Sequence, residues 1–306
     1  MSSKQRVYLI DASVYVFRGW FSYPDDIIGQ NGYPVNAVHG YADFLSSLLR
    51  VQRPRFIACA FDGSLATSFR NEIYPQYKAN REPAPLELKR QFELCRQLTR
   101  SLGIPEFVSD RYEADDLLGT LASQARQAGH PVTIVSSDKD LTQLVQQEED
   151  CWWDFARNIE LDMAGVEDRF GVRPQQIADM LALAGDSIDN IRGIPGIGQK
   201  TAAALLQRYG SLDGIYANLD DIMHSGLRGA ARVKNLLISH EQDARLALRL
   251  TTVFDSVSLD EMPCSLACQG VNEEFFASVA TQIGFSNFRR RQFISMLETD
   301  RLIDGE

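Results

Sequence analysis

The stretch RYEADDLLG at residues 111–119 sets three carboxylates, Glu113, Asp115 and Asp116, within four positions, just ahead of the apolar Leu117, Leu118 and Leu121. Two like charges ~4 Å apart near a protein surface repel by about 4 kcal/mol. Such crowding needs a reason. Six more acids occupy comparable places: Asp11 closes RVYLID, Asp62 closes FIACAFD, Asp138 and Asp140 flank Lys139 in SSDKD, and Asp186 and Asp189 lie three apart in LAGDSIDNIRG. If the nine converge, protein alone does not hold them together, whereas divalent cations do. Oxygen-only ligands with no His or Cys nearby suit Mg²⁺ or Mn²⁺ rather than zinc.

Each piece also has a plainer explanation. Ser137 or Asp138 can cap a helix starting in KDLTQLV. Glu113, Asp115 and Asp116 can be a solvated helix start favoured by the helix dipole; within that turn 113 and 116 are neighbours while 115 points away. Asp186 and Asp189 suit an Asx-type turn. Capping does not account for Asp11 or Asp62.

The elements that must position these acids are legible. Arg6–Asp11, Phe56–Asp62 and Val132–Asp138 are nearly continuous apolar runs, as in parallel strands covered on both faces. Helical patterns lie between them at Val38–Leu49, Pro85–Leu102 and Ala114–Gln127, which indicates an α/β layered domain. In such sheets ligands bind outside the carboxyl ends of the strands, where Asp11, Asp62 and Asp138 fall. Cys151–Phe155 and Ile159–Asp162 read as shorter edge strands. After about residue 165 helices dominate: Pro174–Leu183, Thr201–Tyr209, His240–Thr251, Glu273–Gly284 and Asn287–Leu297. The expected division is an α/β domain over 1–170 and a helical subdomain over 171–306.

Between two of those helices runs GIPGIGQKTA, residues 193–202. Gly193, Gly196 and Gly198 permit a tight turn with exposed N–H groups, and Lys200 and a helix start follow. Backbone N–H groups with a helix dipole bind anions. The spacing is not that of a nucleotide-binding loop. It has the form of a helix-hairpin-helix, which grips a DNA backbone without reading bases; a plain interhelical turn is the alternative.

The chain has 306 residues, 44% of them hydrophobic, with a net charge of −10. That sign argues against a nucleic-acid partner until the nine acids are set apart, which leaves 32 Asp and Glu against 31 Lys and Arg. Five scattered cysteines, including Cys264 and Cys268, favour a reducing compartment and inert thiols over disulfides or zinc. No apolar run reaches the ~18 residues of a membrane span. The N-terminal MSSKQRVYLID lacks a secretion-signal layout. A cytoplasmic protein without membrane contact is expected.

Taken together, LIDAS, FDGS, YEADD, SSDKD and LAGDSIDNIRGIPGIGQKTA resemble the 5′-nucleases of bacteria and phages, including the 5′→3′ exonuclease domain of bacterial DNA polymerase I and the flap endonucleases. The resemblance extends over nearly the whole chain, to QIGFSNFRRRQF. It implies a PIN-like, Rossmann-like parallel-sheet nuclease domain followed by a mostly helical subdomain with the hairpin. The expected form is a stand-alone monomer acting on DNA with a 5′ flap or free 5′ end.

All nine acids match family metal-site positions. Asp11, Asp62, Glu113, Asp115 and Asp116 would build a tighter site, and Asp138, Asp140, Asp186 and Asp189 a second, for two Mg²⁺ or Mn²⁺ ions. TSFRNEIYPQYKANR, residues 67–81, resembles the family's arch, placed near 65–95. There Lys78 and Arg81 would face the scissile phosphate, Tyr77 would stack on a terminal base, and Arg70 would join them; a solvated basic helix face is the alternative. Gly196, Ile197, Gly198, Gln199, Lys200 and Thr201 would contact DNA. Carbonyls of Leu183, Ala184, Arg192, Ile194 and Ile197 would hold K⁺, with Arg192 standing where the family usually has proline. The rival readings are a DNA-structure-binding protein with weak or no catalysis and a PIN-like RNA-cleaving enzyme.

Overall fold

The computed structural model describes residues 5–63, 67–259 and 265–298. Six strands form one sheet in the order β3-β2-β1-β4-β5-β6. These are β1 Val7–Asp11, β2 Phe56–Asp62, β3 Glu106–Ser109, β4 Val132–Val135, β5 Cys151–Asp154 and β6 Ile159–Leu161. Pairing is parallel throughout except between β5 and β6. From β1 the sheet grows towards β2 on one side and β4 on the other. The crevice at such a reversal, beyond the carboxyl ends of the strands, is where open α/β sheets take ligands.

Alternation along the strands sends side chains to two cores. Leu9, Ala58, Ala60 and Ile134 face Leu117, Leu118 and Leu121 of α5, Ala114–Gln127. Ile10, Ile57, Cys59, Phe61 and Val135 face α1 (Ala12–Ser22), α2 (Asn36–Gln52), α4 (Leu86–Ser101) and α12 (Glu273–Gln282). The first core runs on without a break into the helical half. It takes in Leu181 and Leu183 of α7 (Ile177–Ala184), Leu205 and Leu206 of α8 (Gln199–Tyr209) and Leu237 of α10 (Ala230–Ser239). The hairpin is thereby fixed relative to the sheet.

The remaining helices are α3 Phe69–Ile73, α6 Met163–Phe170, α9 Leu212–Ala217, α11 Glu241–Thr251 and α13 Asn287–Glu298. Among the described residues no helix is long and apolar enough to cross a membrane. Several expected boundaries shift for local reasons. The strand expected over Val132–Asp138 stops at Val135, because the Ser136 hydroxyl turns to Asp11 and accepts from the Asp138 N–H. The helix expected in KDLTQLV is a single 3₁₀ segment, Lys139–Leu144, capped by Asp138. The helix expected from Pro174 begins as a 3₁₀ turn, and α7 proper starts at Ile177. β3, α1, α3, α6, α9 and α10 are additions.

Candidate active site

The last residues of β1 and β2 are Asp11 and Asp62, which stand at the mouth of the crevice. Asp11 accepts from Ser136 Oγ at 2.7 Å, and Asp62 accepts from the Ala114 N–H at 2.9 Å, so Asp62 also caps the start of α5. The Asp62 N–H in turn donates to Ser13 Oγ at 2.9 Å. Asp138 accepts from the Asp140 N–H at 2.9 Å, and Asp186 from the Ile188 N–H at 2.8 Å. Glu113 is the N-cap of α5 in a reciprocal capping box with Asp116, which explains how two of the three crowded acids fit one turn.

The acids influence one another. Burial, then the charge of Asp62, pushes Asp11 up to about 7. Desolvation in the crevice, then Asp138 and Asp11, holds Asp115 well above the carboxylate range. Desolvation in the crevice raises Asp138, whose outer side still meets solvent, with Asp189 adding to the effect. Burial, then Asp138, pushes Asp140 up to about 8. Asp140 Oδ1 is buried without a hydrogen-bond partner, with Lys139 Nζ at 3.5 Å.

On the other flank the charge is already met. Asp116 is fully buried and binds both terminal nitrogens of Arg70, at 2.6 and 2.8 Å. It also accepts from the N–H groups of Glu113 and Phe254. Arg70, itself buried, donates to the Leu250 and Thr252 carbonyls. Glu113 takes Lys78 Nζ at 2.5 Å, Ser68 Oγ at 3.1 Å and Tyr77 OH at 3.1 Å. Burial alone would raise Glu113, but Lys78 and then Arg70 outweigh it and hold the carboxyl below its usual value. Asp189 takes Arg81 at 2.5 Å, with Lys78 Nζ at 3.6 Å and Tyr77 OH at 3.2 Å.

These contacts dock the segment 74–81 onto the loop 186–190. The Lys78 N–H donates to the Asp189 carbonyl, Asn80 to the Ser187 carbonyl and Asn190 to the Gln76 carbonyl. Two expectations need correction here. Tyr77 is buried, its hydroxyl held between Glu113 and Asp189, so its ring is not open to stack on a base. Arg70 lies beneath the surface, bound to Asp116, and does not join Arg81 at the exposed mouth of the crevice.

The hairpin starts from the bridge Asp186↔Ile191. Gly193 packs so closely on Ala184 and Gly185 that a Cβ would meet the Gly185 nitrogen at 2.2 Å. Gly196 takes φ +90, and Gly198 is the N-cap of α8, leaving Gln199, Lys200 and Thr201 on its first turn. Ile197 is buried beneath the turn. The Leu183 and Ile194 carbonyls accept from the Ile194 and Ile197 N–H groups, each keeping a second lone pair; Ala184 and Arg192 flank them in the chain.

Among the described residues, no group of three or more His, Cys, Asp or Glu side chains stands ready to enclose an ion. Mg²⁺ does not need one. It keeps several waters and takes only one or two carboxylates alongside substrate phosphates. The Asp140 oxygen without a hydrogen-bond partner and the crowded carboxylates of Asp11, Asp115 and Asp138 are a donor set that fits such a cation. The supporting hydroxyls Ser13, Ser68 and Ser136 were not singled out from sequence; their signal is a short polar residue beside or between the acidic motifs. Within the arginine run 289–291, Arg289 serves the fold, bound to Asp43 and His39. Cys264 lies outside the described residues. Cys59 and Cys95 are buried thiols, the former pushed up to about 12 by burial.

Residues 6–171 match the family described as 5′-3′ exonuclease, N-terminal resolvase-like domain, and residues 172–274 match 5′-3′ exonuclease, C-terminal SAM fold. DNA polymerase I of Bacillus caldotenax is 34% identical over 93% of this chain and 32% of its own length. That of Rhizobium leguminosarum is 37% identical over 85% of this chain and 26% of its own. The chain thus spans about a third or less of the length of these relatives. Two solved structures share the fold. The bacteriophage T5 flap endonuclease in complex with DNA and metal ions matches with TM-score 0.62 at 20% identity, covering 96% of this chain and 100% of that one. The catalytic core of Rad2 in complex with DNA substrate matches with TM-score 0.62 at 15% identity, covering 97% and 92%.

Proposed function

The chain belongs to the 5′-3′ exonuclease family, and on that footing we propose that it is a structure-specific 5′→3′ exonuclease and 5′-flap endonuclease. It would hydrolyse DNA phosphodiesters to leave 5′-phosphate and 3′-hydroxyl ends. The single observation that carries this reading is the crevice at the sheet reversal, where Asp11 and Asp62 end adjacent strands and one buried Asp140 oxygen has no hydrogen-bond partner.

Asp11, Asp62, Asp115, Asp138, Asp140 and Asp186 would hold two Mg²⁺ or Mn²⁺ ions. Bound there, such ions lower the pKa of a water and neutralise charge on a leaving oxygen. Glu113, Asp116 and Asp189 would act from behind, holding Lys78, Arg70 and Arg81. Lys78 and Arg81 would exchange part of their carboxylate contacts for the scissile phosphate when DNA enters, since charge-assisted bonds to phosphate match those to carboxylate. Tyr77 would orient Glu113 and Asp189 through its hydroxyl. The hairpin, through Gly196, Ile197, Gly198, Gln199, Lys200 and Thr201, would grip one strand of the duplex on its backbone. Carbonyls of Leu183, Ala184, Arg192, Ile194 and Ile197 would hold K⁺ there.

We place the division between the nuclease domain and the hairpin subdomain at residues 170 and 171, with the arch near 65–95. We further propose a cytoplasmic monomer. The alternative, a DNA-structure-binding protein with little catalysis, has one observation on its side: Lys78 and Arg81 are already held by acids.

The test is cleavage-site mapping on a 5′-labelled flap duplex with Mg²⁺, with and without K⁺. Expected are metal-dependent cuts near the flap junction, abolished by chelation and strengthened by K⁺. Tight binding with no cuts in either Mg²⁺ or Mn²⁺ would establish the alternative.

A further inference from the structure

Three successive carbonyls at the end of α11 are taken by side chains from both flanks of the crevice. Those of Leu250 and Thr252 accept from Arg70, at 2.9 and 3.1 Å. That of Thr251, between them, accepts from Gln143 Nε2 at 3.1 Å. Carbonyls at a helix end have no partner within the helix and must find one elsewhere. Gln143 belongs to the 3₁₀ segment Lys139–Leu144, which also carries Asp140. Its Nε2 donates to the Asp140 carbonyl at 2.9 Å, and its Oε1 accepts from the Val253 N–H at 3.0 Å. Two carbonyls on one side and an N–H on the other leave a single orientation for the amide, and no carboxylate could make all three bonds.

This clamp joins two pieces of the metal site. Asp138 and Asp140 follow β4, whereas Asp186 follows α7 across Gly185. Burial and Asp138 raise Asp140, and Asp186 adds to the rise, so the two pieces face each other. α11 is in turn bound to α7, because Thr251 Oγ1 donates to the Ala178 carbonyl at 3.0 Å. Leu141 and Leu144 share a core with Met180 and Leu181. Apolar contact of that kind is non-directional and does not fix a register. The hydrogen bonds that do so run from Asp140 through Gln143 and Thr251 to Ala178 on α7.

We propose that Gln143 is a positioning residue of the metal site, setting the gap between Asp140 and Asp186 by fastening the 139–144 segment to α11. It touches neither metal nor DNA. The inference rests on the metal reading of the proposed function and deepens it, since cation affinity then depends on how the helical half is seated against the sheet. Groups that orient metal ligands change metal affinity or activity by about 10–100-fold when removed.

The experiment compares Gln143→Met, Gln143→Asn and Ser211→Ala in the full chain. Methionine keeps the length of the stem without the amide, and asparagine keeps the amide on a stem one methylene shorter. Ser211 caps α9 in the helical half and takes no part in the clamp, so its loss controls for general loosening. Mn²⁺ binding to each metal-free protein is followed by EPR in the absence of DNA, and flap cleavage is then timed across an Mg²⁺ series. Gln143→Met is expected to weaken Mn²⁺ binding about tenfold, the lower end of the range for such groups. The Mg²⁺ needed for half-maximal cleavage should rise by a similar factor, with most of the rate restored at saturating metal. Gln143→Asn should fall between Gln143→Met and the unaltered chain, and it carries the comparison if Gln143→Met does not fold. Flap-duplex affinity in EDTA should change little. Unaltered Mn²⁺ affinity in the folded Gln143 variants would overturn the inference, as would an equal loss in Ser211→Ala. If the unaltered chain itself binds no Mn²⁺, the metal reading fails and the inference falls with it.

Discussion

The crevice has two flanks built from the same residue type and wired in opposite ways. On one, Asp116, Glu113 and Asp189 are each met by a cation: Arg70, Lys78 and Arg81. On the other, Asp11, Asp62, Asp115, Asp138 and Asp186 have no ion pair among the described residues, and Asp140 has only Lys139 at 3.5 Å. A carboxylate with a buried partner is a structural brace. A carboxylate crowded mainly by other carboxylates stores repulsion that an added cation relieves. Residue type alone therefore does not assign a role; the neighbour does.

The difference is broken most forcefully from the braced flank. Arg70→Ala would leave Asp116, 0% exposed, as a buried charge without its counter-ion. Loss of one member of such a pair costs about 3–5 kcal/mol, to be read from urea unfolding. A loss under about 1 kcal/mol would show the brace to be dispensable. On the open flank the opposite pattern is expected. Asp115→Asn removes a charge whose neighbours Asp138 and Asp11 oppose it, so the metal-free protein should be no less stable. Flap cleavage should nonetheless fall about 10²–10³-fold, the scale on which electrostatic groups at reacting centres act. If Asp115→Asn unfolds as readily as Arg70→Ala, the two flanks are not distinct.

How much of this was readable beforehand follows the range of the interaction. β1, β2 and α5 were legible because apolar runs and a 3.6-residue period are local signals. α1 was missed because ASVYVFRGWFS continues the apolar run of β1 with no break other than Asp11. β3 was missed because EFVS sets only two apolar residues between Glu106 and Ser109. Val132–Asp138 was read three residues too long because the bond from Ser136 to Asp11 spans 125 positions. The identities of the acids were equally local, as was the glycine order of the hairpin. Their division into braced and open was not, since Arg70 and Asp116 are 46 residues apart, and Lys78 and Asp189 meet only when the segment 74–81 docks. For the same reason Tyr77 was expected at the surface and is buried.

Acid and base titration should sharpen the comparison, because the flanks carry opposite signs. Asp11 rises to about 7 and Asp140 to about 8, against about 3.9 for an unfolded aspartate. A raised acid favours the fold while protonated. That contribution is complete below about pH 3.9 and is lost as pH climbs through the raised values. Glu113 is lowered, so its contribution is complete above about pH 4.3, the unfolded value, and is lost as pH falls through its depressed value. In EDTA the melting temperature should therefore decline between about pH 5 and 8, and decline again in strong acid. Millimolar Mg²⁺ should flatten the upper decline and leave the acid one, because a ligand of the native state stabilises only where it binds. A melting temperature that climbs steadily to pH 8 in EDTA would contradict the open flank.

The smallest effect on the fold separates the two outer cations. Lys78 is almost enclosed, so its carboxylate contact is desolvated and its loss should be felt. Arg81 is 38% exposed, and water screens its contact with Asp189. Exposed pairs contribute about 0.2–1 kcal/mol, so Arg81→Gln should shift the urea midpoint by an amount within that range. Its effect on flap cleavage should be larger than its effect on folding. A guanidinium at the mouth of the crevice loses little by leaving Asp189 and gains a phosphate when DNA arrives. Lys78 must leave Glu113 to do the same, and Glu113, buried with its pKa depressed, resists the separation. Arg81 is accordingly the cation free to exchange first. If Arg81→Gln unfolds the protein by more than about 2 kcal/mol, beyond what a screened pair supplies, the contact is a strut of the docked segment. The exchange would then have to begin at Lys78.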